Sequence, residues 1–214
     1  MADATVDVIT LTELKPGLNS STSTTTYDTE LAVVITAISQ RFRDLCGPIV
    51  NTTYTDEAYD GGCIDVWLRN AGYSRNTTTT ISACKEYDTA GALTTLSAET
   101  ASSKPADGYL LSAQEGERHR VIRRSGGYDY QFAPGRANVL VTYTTGRAAN
   151  TAAVPAKFKE AAIVTANHVW SMVGAQSGAA RRVGEGLPFG VPPFSIPKAA
   201  LDLIRDELRA PGVG

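Results

Sequence analysis

Cysteine, histidine and tryptophan are scarce in this chain, and each shortage argues against a class of chemistry. The 214 residues include 3 Cys, 2 His and 2 Trp. Cys46, Cys63 and Cys84 stand 17 and 21 residues apart, without C-x-x-C spacing. So odd and sparse a set argues against a disulfide framework or a zinc site, and fits small buried hydrophobes in a reducing compartment. His119 and His168 fall in unrelated segments, and no G-x-S-x-G elbow exists, so no nucleophile–base pair is in view. The stretch 184–190, GEGLPFG, follows no strand and lacks the Lys and Ser/Thr of a phosphate loop. Asp56 and Glu57, and Asp206 and Glu207, are sequence neighbours that point to different sides of their elements, so they read as solvated rather than as catalytic pairs. No run approaches the roughly 18 apolar residues of a spanning helix, and no basic-then-apolar leader opens the chain. The expectation is a protein made and folded in a cytoplasm, with no cofactor and no membrane contact.

A dominant charge sign is also missing. The net charge is −2, which argues against nucleic-acid binding driven by bulk charge. Along the chain, however, residues 1–100 carry 6 Lys+Arg against 13 Asp+Glu, and residues 101–214 carry 14 against 9. An acidic half joined to a basic half would favour head-to-tail self-association.

Hydrophobic spacing then locates the elements. Thr10-x-x-Glu13 has the form of a capping box, limited by Pro16 and Gly17. Residues 19–26, almost all Ser and Thr, read as a linker. From Asp28, a good N-cap, Leu31, Val34, Ile35, Ile38, Phe42 and Leu45 form one stripe, and Gly47-Pro48 ends it, predicting a helix over 28–46. The signals in 50–145 are β: CIDVWLRN with Ile64, Val66 and Leu68 on one face, the β-branched TTTTISACKEYD, ALTTL at 92–96, GYLLSA at 108–113, RHRVIRR, and NVLVTYTTG with Val139, Val141 and Tyr143 alternating. A second helix is predicted over 155–173, with Phe158, Ala162, Thr165 and Val169 on one face, and a last one over 197–208. Segregated strands and helices indicate an α+β fold. The expected form is mainly a helical bundle, two long helices plus short terminal helices, with an inserted block of short antiparallel strands, all in one domain spanning 1–214.

Two features remain for function. Between the last two helices lies an extended arm, 184–196, including LPFGVPPFSI. Its prolines forbid a helix and lower the entropy lost on docking. Leu187, Phe189, Val191, Phe194 and Ile196 would each contribute roughly 1.5 to 3 kcal/mol if fully buried. The arm covers either its own subunit or a partner. With Pro192, Pro193 and Trp170 these residues form the candidate protein interface. The second feature is the cluster Arg118, Arg120, Arg123 and Arg124, a candidate contact for DNA or an acidic partner, or else a solvated strand face.

The order of these pieces resembles the head–tail connector (adaptor) proteins of long-tailed bacteriophages. YDTELAVVITAISQRFRDLCG looks like that family's first long helix, ending in Cys-Gly. TYTDEAYDGGCIDVWLRN resembles its T-E-x-Y-D-G turn and following strand, and TTISACKEYDTAGALTTL its next hairpin. RRSGGYDYQFAPGRANVLVTYTTG, VPAKFKEAAIVTANHVW and FSIPKAALDLI resemble the later strand and the two closing helices. The likeness spans about residues 8–210. It departs in the long Ser/Thr linker at 19–26 and in 97–107, which reads as an inserted loop. The resemblance implies a non-enzymatic virion protein at the head–tail junction, assembled in the bacterial cytoplasm. Its subunits would form a homo-oligomeric ring, generally a dodecamer, under the portal. The ring would continue the channel through which DNA passes without sequence-specific binding, and would give a stopper or tail-completion protein its docking surface. The alternatives are a tail terminator or another head-completion protein, or a β-rich carbohydrate-binding module.

Overall fold

The structure, a computed structural model, describes residues 6–18, 23, 25–71, 77–113, 118–177 and 195–208, with the side chains of 172–177 excepted. The chain divides into two compact units, Met1–Val50 with Ala148–Gly214, and Asn51–Arg147.

The first unit is helical. The helix α1 (Leu11–Gly17) starts at the Thr10 capping box: Thr10 Oγ1 accepts from the Glu13 N–H, and Glu13 accepts from the Thr10 N–H at 2.8 Å. Pro16 lies inside this helix instead of ending it. The helix α2 (Asp28–Cys46) buries Leu31, Ile35, Ile38 and Phe42, four positions of the predicted stripe, while Val34 and Leu45 pack partly against the same core. Its N-cap is Tyr27, not Asp28; Asp28 instead forms an ion pair with the buried Lys15 at 2.7 Å. The helix α3 (Ala156–Ser177) brings Phe158, Ala161, Ala162 and Ala166 into that core, the small side chains allowing close approach. The short α4 (Lys198–Leu203) and the 3₁₀ turn Arg205–Glu207 bury Ala200 and Ile204. Lys157 holds both Asp206, at 2.9 Å, and Glu207, at 2.5 Å, so that carboxylate pair anchors the chain end to α3.

The second unit is a mixed eight-stranded sheet built from β1 (Thr52–Tyr59), β2 (Asp65–Trp67), β3 (Thr78–Tyr87), β4 (Leu93–Ala98), β5 (Gly108–Ser112), β6 (Arg120–Ser125), β7 (Tyr128–Asp129) and β8 (Val139–Gly146). The order is β1-β8-β3-β4-β5-β6-β2, with β7 paired to β6. The sheet curls around one core that draws on both ends of this order: Tyr59 of β1, Val66 of β2, and Val139, Val141 and Tyr143 of β8. On β8 burial alternates from Val139 to Thr145, and those three side chains are fully buried. Around β2, by contrast, Val66 and Leu68 are buried but Ile64, just before the strand, is exposed.

This architecture corrects the expected fold class. The fold is mostly β, organised on the mixed sheet, and the described residues hold four α-helices, three of them at least seven residues long, which do not make a helical bundle. The physical reason is the length and β-branched composition of β1, β3 and β8, which pair along most of their length into a continuous ladder instead of separate short hairpins. Nor is the pairing all antiparallel, since β4 meets β5 in parallel through Ser97↔Gly108 and Ala98↔Tyr109. A parallel return normally needs a dozen or more residues. Here residues 99–107 make it, and the parallel contact is correspondingly short.

Candidate functional site

Among the described residues, no group of three or more His, Cys, Asp or Glu side chains is placed to hold a metal ion. No described helix is long and apolar enough to cross a membrane. All three cysteines are free. Burial, reinforced by the nearby Glu86 charge, pushes the Cys84 thiol up to about 12, which leaves it protonated and unreactive. His119 is fully buried with Nδ1 2.5 Å from Thr79 Oγ1, and burial holds its pKa below the ordinary value. His168 Nε2 lies 3.4 Å from Ser195 Oγ. Glu57 is not merely solvated: its carboxylate accepts from Tyr59 Oη at 2.6 Å, Tyr143 Oη at 2.5 Å and Asn70 Nδ2 at 3.0 Å. Burial first, and the Glu57 hydrogen bond second, raise both tyrosine pKa values well above the ordinary range. The network therefore fixes strand β1 to β8 and to the chain after β2, with its phenols locked in the neutral form.

The arginine cluster is largely engaged within the sheet. Strand alternation turns Val121 and Arg123 of β6 inward, as the burial along the strand shows. Arg123 is 3% exposed, and its Nε and Nη2 donate to Glu86 Oε1 at 3.0 and 2.8 Å. Its remaining donors meet Asp107 at 2.9 Å and the carbonyls of Gly108 and Arg124 at 3.2 and 2.5 Å. Burial alone would lower the Arg123 pKa; the bonds to Glu86 and Asp107 outweigh it and raise it. Arg124 pairs with Glu99, at 2.9 Å, and with Asp129, and Arg120 pairs with Asp65 at 2.7 Å while lying over the Trp67 ring. Arg118 is the exposed member, donating to the Arg69 carbonyl at 3.3 Å. Of these, Arg123–Glu86, Arg124–Glu99 and Arg120–Asp65, with Lys159–Glu13 at 2.6 Å, join residues of the basic half to residues of the acidic half, whereas Arg123–Asp107 and Arg124–Asp129 lie within the basic half. Part of the charge asymmetry along the chain is thus neutralised inside each folded unit.

The candidate interface is only partly in view. Trp170 of α3 packs against the helical core and meets the exposed Tyr27 ring edge-on, centroids 5.5 Å apart. Ile196 also packs against that core. Leu187, Phe189, Val191, Pro192, Pro193 and Phe194 lie outside the described residues.

A surface that the sequence reading passed over is the groove beside β7. Its cavity is about 620 Å³, lined by Ile64, Glu86, Asp88, Thr89 and residues 129–134. Asn138 holds its wall, donating to the carbonyls of Ala133, at 2.5 Å, and Tyr87, at 3.3 Å, and accepting from the Gly61 N–H at 2.9 Å. Gly61 has to be glycine here, because a Cβ would collide with the Ala133 carbonyl. Tyr130, over the Arg123 guanidinium, is 57% exposed, and Tyr128 beside it is 79% exposed. The signal was the aromatic spacing of YDYQF, which reads in sequence as part of a Gly-rich loop.

No protein-family model matches the chain, and no curated protein matches it. Solved structures do. A chain in the neck of an empty gene transfer agent (GTA) particle, computed with C6 symmetry, superposes with a TM-score of 0.56 at 18% identity, covering 94% of this chain and 90% of that one. The two share a fold. A chain in the virion of a native GTA particle gives a TM-score of 0.54, also at 18% identity and with the same coverage. At this identity the likeness concerns the fold, and it takes in both units, since nearly the whole of each chain is covered.

Proposed function

We propose that this chain is a structural subunit of the neck of a phage-like particle, forming a ring between the portal vertex and the tail. The observation that carries this reading is the fold shared, over nearly its full length, with chains of GTA particle necks and virions. The sequence resemblance to head–tail connectors supports it independently, piece by piece from the first long helix to the closing one. In this reading the protein works by shape and contact, without catalysis or cofactor. A closed ring needs one surface of each subunit to meet a different surface of its neighbour. One rim docks on the portal, the other receives a stopper or tail-completion protein, and DNA passes through the bore. A net charge of −2 suits that passage, because a strongly basic wall would hold the phosphate backbone by counterion release.

Sedimentation of the purified protein alone, and after mixing with a portal ring, tests the reading. A complex of portal plus a ring's worth of subunits is expected. Absence of any association with the portal would refute it.

A further inference from the structure

The groove beside β7 has a chemistry that selects its occupant. Tyr130, 57% exposed, Ile64, 44% exposed, and Pro134 give it an apolar floor with one exposed aromatic ring, Phe132 being buried. Its rim is acidic and under-neutralised. Arg123 is divided between Glu86 and Asp107, and Arg124 between Asp129 and Glu99, which Lys104 also holds, so three cations face four carboxylates before Asp88 is counted. Asp88 at the β3–β4 turn accepts from the N–H groups of Ala90 and Ala92, both at 2.8 Å, and pairs with no cation among the described residues. Aromatic grooves of this kind take proline-rich segments, which are already extended and lose little entropy on docking. An acidic rim adds a requirement for cations at one end of the segment.

One stretch of this chain meets both requirements: 181–194, RRVGEGLPFGVPPF, with Arg181 and Arg182 at one end and Pro188, Pro192 and Pro193 along the rest. We propose that the groove of one subunit receives this stretch from a neighbouring copy, the arginines against Asp88 and Asp129 and a Pro-Phe step over Tyr130. A cavity of about 620 Å³ falls in the size range of ligand pockets, so it holds a short part of the stretch, not its whole length. The inference rests on the ring reading, because exchange of an arm between copies supplies the donor surface and the different acceptor surface that a closed ring requires.

The test has two arms. In the first, a fluorescent peptide of residues 180–196 is titrated with the full-length protein carrying Arg181→Glu and Arg182→Glu, so that its own arm does not compete. Saturable binding is expected. It should weaken about tenfold when Asp88→Asn and Asp129→Asn remove the charge while keeping hydrogen-bonding capacity, and similarly with Tyr130→Ala. Circular dichroism verifies that each variant is folded. No binding, or binding indifferent to both changes, overturns the proposal even if rings still form on the portal. In the second arm, one copy carries Thr89→Cys and another Phe189→Cys, both in a Cys63→Ser background, and a short bismaleimide is added to the mixture after assembly on the portal. A covalent pair of chains is expected. A link formed instead within a single chain bearing both cysteines, with none between chains, overturns the neighbour assignment. If the peptide binds as expected but the chain does not associate with the portal, the ring reading fails and the groove's specificity stands.

Discussion

Removing the Arg123 guanidinium separates a structural role for this residue from a role in contacting DNA or an acidic partner. Arg123→Met keeps much of the side chain's apolar volume and deletes every donor. Glu86 then keeps only the Ala133 N–H at 3.2 Å for its carboxylate, and the carbonyls of Gly108 and Arg124 lose the donor they share. Loss of one partner from a buried pair typically costs about 3 to 5 kcal/mol, because the surviving charge stays desolvated. The Asp107 contact adds little to this, its side chain being 61% exposed. Against a total stability of roughly 5 to 15 kcal/mol that loss is large. Urea denaturation followed by far-UV circular dichroism measures it as a lower midpoint. The double variant Arg123→Met with Glu86→Leu removes the orphaned charge and should recover most of the loss. A single variant within about 0.5 kcal/mol of the parent, or a double variant no better than the single, would mean that the Arg123–Glu86 pair does not stabilise the sheet.

Two further outcomes follow from buried polar groups in the sheet. Burial holds His119 below its ordinary pKa of 6.5, so on acidification the unfolded chain takes up this proton first. The stability that depends on neutral His119 is complete above about pH 6.5 and is lost as pH falls through the window down to the depressed folded value. His119→Gln should flatten the difference in urea midpoint between about pH 7.5 and about pH 5.5, and an unchanged difference would count against this origin. Tyr143→Phe removes a hydroxyl that donates to Glu57 at 2.5 Å and accepts from the Asn70 N–H at 3.2 Å, so thermal unfolding should show a loss of about 1 to 3 kcal/mol; no loss would mean that Glu57 finds a replacement donor.

The sequence made the elements legible where burial follows local periodicity. The α2 stripe and the Val139–Val141–Tyr143 alternation each face one continuous core, so a repeat of three to four residues, or of two, marks their inner faces. The architecture was less legible, because it depends on pairings between distant strands. Nothing within residues 93–112 announces that β4 meets β5 in parallel. Nor does RHRVIRR say which arginine turns inward: the partner that stabilises Arg123 inside is Glu86, on a strand not adjacent to β6 in the sheet. The groove escaped notice for the same reason, since Ile64, Asp88 and Tyr130 come from three separate stretches. The proline arm was conspicuous in sequence by its composition alone.

The proposed function requires this chain to close into a ring on a portal. Electron microscopy of the protein mixed with portal rings tests it most directly. A second ring, coaxial with the portal and extending its channel, is expected in end-on and side views. Portal rings with bare ends, beside dispersed single chains at every concentration tried, would contradict it.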